Sequence, residues 1–472
     1  MDFTSRLRSI VNSGSAKPVR ELTYEPDDGY RAGAPLDLDR VADSLGGRRV
    51  STRFGECLVI DRRYEAERWH GDIRIGECVI DDMDALALLD PGLRSFRELQ
   101  RQPAPASTLE HPAPWSTSEH PAPCSTLEHP VPCSTPPRTV FIDLETTGLS
   151  GGAGTLAFLV GCGYFDLGAF QVRQFLLTSH AGERALLAAV ADFFNDTDLI
   201  VTYNGKTFDV PVMETRWTFH RMAMPLDGVP HFDMLHPARR LWKGRPDART
   251  TGGDEGGCRL STLERVLFDV QRVGDVGGFE IPGRFFGFVR SGDPRPLEPV
   301  LEHNRIDLVS LAAVTARAAR LAREGHGACR DFAEALALGK IFEKAELIGR
   351  AEACYRYACD SPESVVRADA LYRLGVRLRR NRQFADAASV WRELIEFTHP
   401  RSMRRGLLGD LRQVAVEALA IHQEHRAKDL AGARELALAS LDEPGRRTES
   451  VRHRLARLDR KLARSTDAPL PL

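Results

Sequence analysis

Proline occupies the first and third positions of four consecutive nine-residue units, PAPASTLEH, PAPWSTSEH, PAPCSTLEH and PVPCSTPPR, over residues 103–138. Each proline fixes φ and removes a backbone donor, so the segment excludes regular helix and disfavours a paired strand. It is expected to be an extended, partly polyproline tether. His111, His120, His129, Cys124 and Cys133 fall at repeat positions within it and are read as part of the tether, not as a metal site. The tether divides a 472-residue chain, long enough for two to four domains, into residues 1–102 and all that follows.

Residues 1–102 carry two short stretches with strand-like alternation, 51–60 and 71–80, each containing Gly-Glu-Cys. They suggest a small β-rich or mixed module of unassigned role. The segment 139–325 changes period repeatedly. Strands are expected from residue 140, across 155–165 and 170–177, and again at 198–203. Helices are expected at 181–194, 210–222, 260–268 and 301–322, with a mobile polar loop at 244–257. The sum is an α/β domain, a sheet covered by helices.

Residues 326–464 read as helix throughout, before a disordered tail at 465–472. An internal repeat is visible: Leu338, Gly339, Phe342, Ala351, Tyr355 and Ala358 recur as Leu374, Gly375, Leu378, Ala387, Trp391 and Leu394, offset by 36 residues. Leu419, Ala420, Gly432, Leu436 and Ala439 make a weaker third copy. The spacing resembles tetratricopeptide repeats, which usually bind peptides or partner helices. The basic run at 446–464 is expected as a solvated helix face.

No apolar run reaches the ~18 residues of a membrane span. The first residues lack the apolar core of a secretory signal, and nine scattered cysteines contain no CxxC pair. A cytoplasmic protein without a membrane partner is expected. A net charge of -2 carries no global field for nucleic acid, although a local groove would suffice.

Three acidic elements carry the chemistry. In VFIDLETTG, alternation places Asp143 and Glu145 on one face at the carboxyl end of a strand, where open α/β sheets bind ligands. In TYNGKTFDVP, Asp209 follows a tight turn and precedes a proline, a position that also suits a helix cap. In LEHNRIDLVSL, His303 and Asp307 stand four apart on one helix face. Singly each motif is ordinary. Together, four carboxylates on three elements suit two hard cations, Mg²⁺ or Mn²⁺, holding the oxygens of a phosphoryl displacement. The imidazole of His303 suits proton transfer.

FIDLETTG, YNGKTFD and HNRID resemble the exonuclease motifs of the DEDD superfamily, which has a ribonuclease-H-like fold. The longer strings YNGKTFDVP, HFDMLHPARRLW, CRLSTLE, EIPGRFF and LEHNRIDLVSLA resemble YprB-type ribonuclease-H-like proteins, which commonly carry C-terminal tetratricopeptide-like repeats. The resemblance implies a metal-dependent 3′–5′ exonuclease. It assigns Asp143, Glu145 and Asp307 to one metal and Asp143 with Asp209 to the second, and makes His303 the general base. Thr146, Asn204, Arg240 and Lys243 would meet substrate, with Arg239 and Arg245 beside them. Phe285 and Phe286 are candidates for core packing or base stacking, and Asp233 for a structural role. One departure stands out: histidine-based members usually place the histidine five residues before the last acid, and here the spacing is four. Single-stranded nucleic acid is the implied substrate, with DNA or RNA undecided. Internal cleavage, or a non-catalytic nucleic-acid-binding module on a protein-recruiting scaffold, remain alternatives.

Overall fold

The computed structural model describes residues 36–93, 138–148, 154–243, 258–398, 406–441 and 448–466. The tether, but for Arg138, the loop at 244–257 and residues 467–472 of the tail lie outside the described residues. In chain order, helix α1 (Leu38–Leu45) precedes strands β1 (Arg48–Thr52) and β2 (Gly55–Tyr64), a small hairpin of β3 (Trp69–His70) and β4 (Ile73–Arg74), and helix α2 (Met83–Leu89). Then come β5 (Thr139–Thr146), β6 (Ala157–Asp166), β7 (Ala169–Leu176), α3 (Glu183–Phe194), β8 (Leu199–Thr202), α4 (Asp209–Phe219), β9 (His231–Asp233), α5 (Leu235–Trp242), α6 (Leu260–Phe268), α7 (Ile281–Ser291) and α8 (Glu298–Glu324).

Seven strands form one mixed sheet in the order β1-β2-β7-β6-β5-β8-β9. β5 lies antiparallel to β6 and parallel to β8, which is parallel to β9. The carboxyl ends of β5, β8 and β9 therefore share one edge. Alternation along β5 sends Val140, Ile142 and Leu144 into a core shared with α1, α3 and α7. Phe141 points the other way, toward α5, α6 and α8. Acids in phase with Phe141 face the α8 side.

The sequence set residues 1–102 apart as a module of their own. In the structure β2 pairs with β7, Leu58 opposite Leu176 through Tyr64 opposite Phe170, so the N-terminal hairpin extends the same sheet. The outer edge of β7 would otherwise present unpaired backbone groups, and β2 satisfies them. The strand expected at 71–80 is corrected to the short β4 and a 3₁₀ turn at Ile75–Cys78. Ile75, Cys78 and Ile80 are buried there, a spacing that a tight turn can place against one core.

Six helices follow as three hairpins: α9 (Phe332–Lys344) with α10 (Ile348–Ala358), α11 (Ser364–Arg380) with α12 (Phe384–Phe397), and α13 (Leu407–His422) with α14 (Leu430–Leu441); α15 (Thr448–Thr466) closes the described chain. The 36-residue repeat has a steric origin. A Cβ on Gly339 would lie 2.6 Å from the Tyr355 ring, and one on Gly375 would lie 2.2 Å from Trp391 Nε1. In both hairpins the glycine admits the aromatic ring of the partner helix. The middle residues of the two three-residue turns match too: Glu346 and Arg382 both take positive φ. Glu334, fully buried in α9, accepts from Trp242 Nε1 at 2.8 Å and pairs with Arg317 of α8 at 2.6 Å, which seats the helical region on the sheet domain. In the basic run, Arg457 and Lys461 pair with Glu424 at 2.7 and 2.8 Å. Among the described residues, no helix is long and apolar enough to cross a membrane.

Candidate active site

Asp143 is built in by three strands and one helix. Opposite it on β6 stands Gly161. The missing side chain there leaves room for Asn304 of α8, whose Oδ1 would lie 2.1 Å from a Cβ at that position. Asn304 is fully buried and donates through Nδ2 to Asp143 Oδ2 at 2.8 Å and to the Asp143 carbonyl at 3.1 Å. Gln174 of β7 donates to Asn304 Oδ1 at 2.8 Å and to the Leu301 carbonyl at 2.9 Å, so the amide orientation is fixed from behind. A β-bulge at Glu145/Thr146 ends the regular pairing of β5 and re-aims the side chains there.

Asp209 comes from the turn after β8. Asp233 at the end of β9 is fully buried and accepts from the backbone N–H groups of Asn204, Lys206 and Leu235 at 2.8, 3.0 and 3.1 Å. These bonds tie the turn to the sheet edge, which gives Asp233 the structural role expected of it. Asn204 takes a left-handed conformation at φ 69°. Asp209 is then the first residue of α4, not its side-chain cap, since Phe208 holds the cap position. Its carboxylate accepts from its own backbone N–H and from that of Leu144, between the two acids of β5.

α8 supplies the third arm. His303 Nε2 stands 3.6 Å from Asp307 Oδ2, as expected for residues one turn apart. Three partners could not be read from the motifs. Asp275 Oδ1 lies 2.7 Å from His303 Nδ1. Arg272 reaches Asp307 Oδ1, and Asp275 at 3.2 Å. Glu264 of α6, itself buried, grips Arg272 through two bonds, one of them 2.8 Å. Arg272 and Asp275 lie in a segment with no periodicity, so nothing local announced them. Asn304 was visible inside HNRID, but its role depends on Gly161 and Gln174, distant in sequence.

The electrostatics reflect the convergence of the four acids. Burial, then Asp307, Glu145 and Asp209, hold the Asp143 carboxyl well above the usual range. Burial, then Asp307 and Asp209, do the same for Glu145. Burial pushes Asp209 up to about 7, against the two backbone bonds it accepts. Asp275 is held low: bonding to His303, with Arg272, outweighs its burial. As the side chains stand, no three His, Cys, Asp or Glu among the described residues form a shell around one ion. The donor chemistry nonetheless fits hard divalent cations, because buried carboxylates that raise one another lack positive charge.

The expected substrate contacts divide. Thr146 is buried and donates to the Gly148 carbonyl at 2.8 Å. Arg240 has a backbone partner. It is half-buried and donates to the Leu89 carbonyl of α2, a backbone acceptor that only the docking of the N-terminal region brings there. Asn204 and Lys243 line one cavity of ≈ 300 Å³ with Arg239 and Arg259. Phe285 is core, stacked on Phe158 at 4.3 Å, whereas Phe286 is partly exposed.

A family model of the ribonuclease H superfamily matches residues 140–319, the span that holds all four acids. The YprB protein of Bacillus subtilis (strain 168) is 31% identical over 332 residues, which is 68% of this chain and 74% of that protein. The match is therefore longer than the sheet domain alone.

Proposed function

Because the chain belongs to the YprB family and carries a ribonuclease H superfamily domain, we propose that it is a metal-dependent 3′–5′ exonuclease acting on single-stranded nucleic acid ends. The observation that carries this reading is the convergence of Asp143, Glu145, Asp209 and Asp307, from a strand, a helix start and a distant helix, at one sheet edge. Two Mg²⁺ or Mn²⁺ ions would be held by these four residues, supplying Lewis acidity at the scissile phosphate and a more acidic attacking water. The protein's own groups do the rest. Asn304 fixes the rotamer of Asp143. Asp275, as an anion, accepts the Nδ1 proton of His303, leaving Nε2 with its lone pair toward Asp307. In that tautomer His303 can take a proton from the attacking water. The Asp275 contact supports His303 as base despite its four-residue spacing. Lys243 and Asn204 would meet the substrate backbone from their shared cavity. The helical hairpins, with glycine–aromatic contacts repeating at 36 residues, are read as tetratricopeptide-like and as a surface for a protein partner.

The test is cleavage of 3′- and 5′-labelled single-stranded DNA and RNA with Mn²⁺ or Mg²⁺. Stepwise shortening from the 3′ end, lost in EDTA and in Asp143→Ala, is expected. Folded, metal-binding protein that cuts neither substrate would refute catalysis and favour a nucleic-acid-binding role.

A further inference from the structure

A chain of hydrogen bonds runs from the N-terminal hairpin to the fourth acid. The β3–β4 hairpin sits against the end of α6: Asp72 N–H donates to the Phe268 carbonyl at 2.7 Å. A Cβ on Gly71 would lie 1.9 Å from that same oxygen, so only glycine lets the hairpin approach. His70 Nε2 thereby comes 2.8 Å from Ser310 Oγ. Ser310 gives its only proton to Glu264. It must then accept from His70, so Nε2 of His70 carries the hydrogen. Glu264 grips Arg272, and Arg272 holds Asp307 Oδ1. The other oxygen, Oδ2, has His303 Nε2 at 3.6 Å, beyond hydrogen-bond reach, and is left without that clamp. Arg272 thus fixes which oxygen of Asp307 is available.

We propose that Arg272 is a positioning residue for Asp307, and that the N-terminal hairpin supports the active site through His70, Ser310 and Glu264. This rests on the metal reading of the four acids. A guanidinium suits the task because its planar fork makes two bonds to Glu264 and one each to Asp275 and Asp307, four in all, whereas an ammonium has three donors. Without it, Asp307 can swing and the shell of the shared ion is no longer prepared.

The experiment is Mn²⁺ binding to the full chain, followed by electron paramagnetic resonance of the free ion, with circular dichroism as the folding check. Arg272→Met alone strands the buried Glu264 and can unfold the protein. The double variant Arg272→Met/Glu264→Gln removes both charges. We expect it to fold and to bind the Asp307-dependent ion at least tenfold more weakly, with Arg272→Lys in between. His70→Ala should weaken binding several-fold. Wild-type affinity in the folded double variant overturns the role of Arg272. Wild-type affinity in His70→Ala, with the double variant impaired, overturns the support from the hairpin. If wild type itself binds no Mn²⁺, the metal reading fails first, which separates the two failures.

Discussion

Gly161→Ala tests how the site is assembled. Alanine in a strand interior is ordinarily better than glycine, by about 0.5–1 kcal/mol. Here the new methyl would sit 2.1 Å from Asn304 Oδ1 and 2.8 Å from its Nδ2. Asn304 is fully buried between sheet and helix and has nowhere to withdraw. Displacing it breaks the bond to the Asp143 carboxylate, worth about 1.5–3 kcal/mol, and the bond from Gln174, worth about 1 kcal/mol. Moving backbone instead costs about 1–3 kcal/mol. Set against the intrinsic gain, a net loss of about 1.5–3 kcal/mol is expected. The assay is urea denaturation in EDTA, repeated in an Asn304→Ala background. With the amide gone, the clash disappears and Gly161→Ala becomes neutral or stabilising, a coupling of at least about 1.5 kcal/mol. Equal cost in both backgrounds, or a single variant as stable as wild type, would refute the reasoning.

Three further outcomes are expected. Gly375→Ala and Gly339→Ala should each destabilise by about 1–3 kcal/mol through the Trp391 and Tyr355 rings, whereas Gly349→Ala, with open space around it, should not; denaturation midpoints distinguish them. Asp209, raised to about 7, binds a proton in the folded state that the unfolded chain binds only near 4. Metal-free protein should therefore gain stability as pH falls from about 7 toward 4. Asp209→Asn should be more stable than wild type at pH 8 by on the order of 2–4 kcal/mol, yet gain less from Mn²⁺ in a thermal melt, since only the ion held without Asp209 remains. His70 is pushed down to about 4 by burial, Arg272 and Arg68. The unfolded chain then binds the proton first, so the contribution of His70 opposes that of Asp209 and falls by up to about 3 kcal/mol as pH drops from about 6.5 to 4. His70→Gln, which keeps a donor for Ser310, should remove part of that slope. His231, also held at about 4 by burial, supplies the remainder.

Local pattern alone determined β5 to β8 and the helices α3, α4, α6 and α8 of the sheet domain, but not the short β9, α5 or α7. Continuous apolar runs and alternation are properties of adjacent residues, and they suffice to place Asp143 and Glu145 on one face of β5. The four-residue spacing of His303 and Asp307 likewise puts them on one side of α8. The 36-residue repeat was legible for a similar reason: a glycine that admits an aromatic ring leaves its mark at a fixed offset. What the sequence misjudged is what depends on docking. The alternation at 51–60 marked a strand but not its partner, and β2 pairs with β7 because that edge needs covering, so residues that look like a separate module complete the sheet. Arg240 looked poised for phosphate and instead caps a carbonyl of α2. Arg272 and Asp275 belong to no motif, and Glu264 stands in CRLSTLE with nothing there to name its partner, because an ion pair has no period: its partners are chosen by which surfaces meet in three dimensions. The acids were written in the sequence; the groups that hold them in place were decided by the tertiary fold, where burial makes an unpaired charge too costly to leave unanswered.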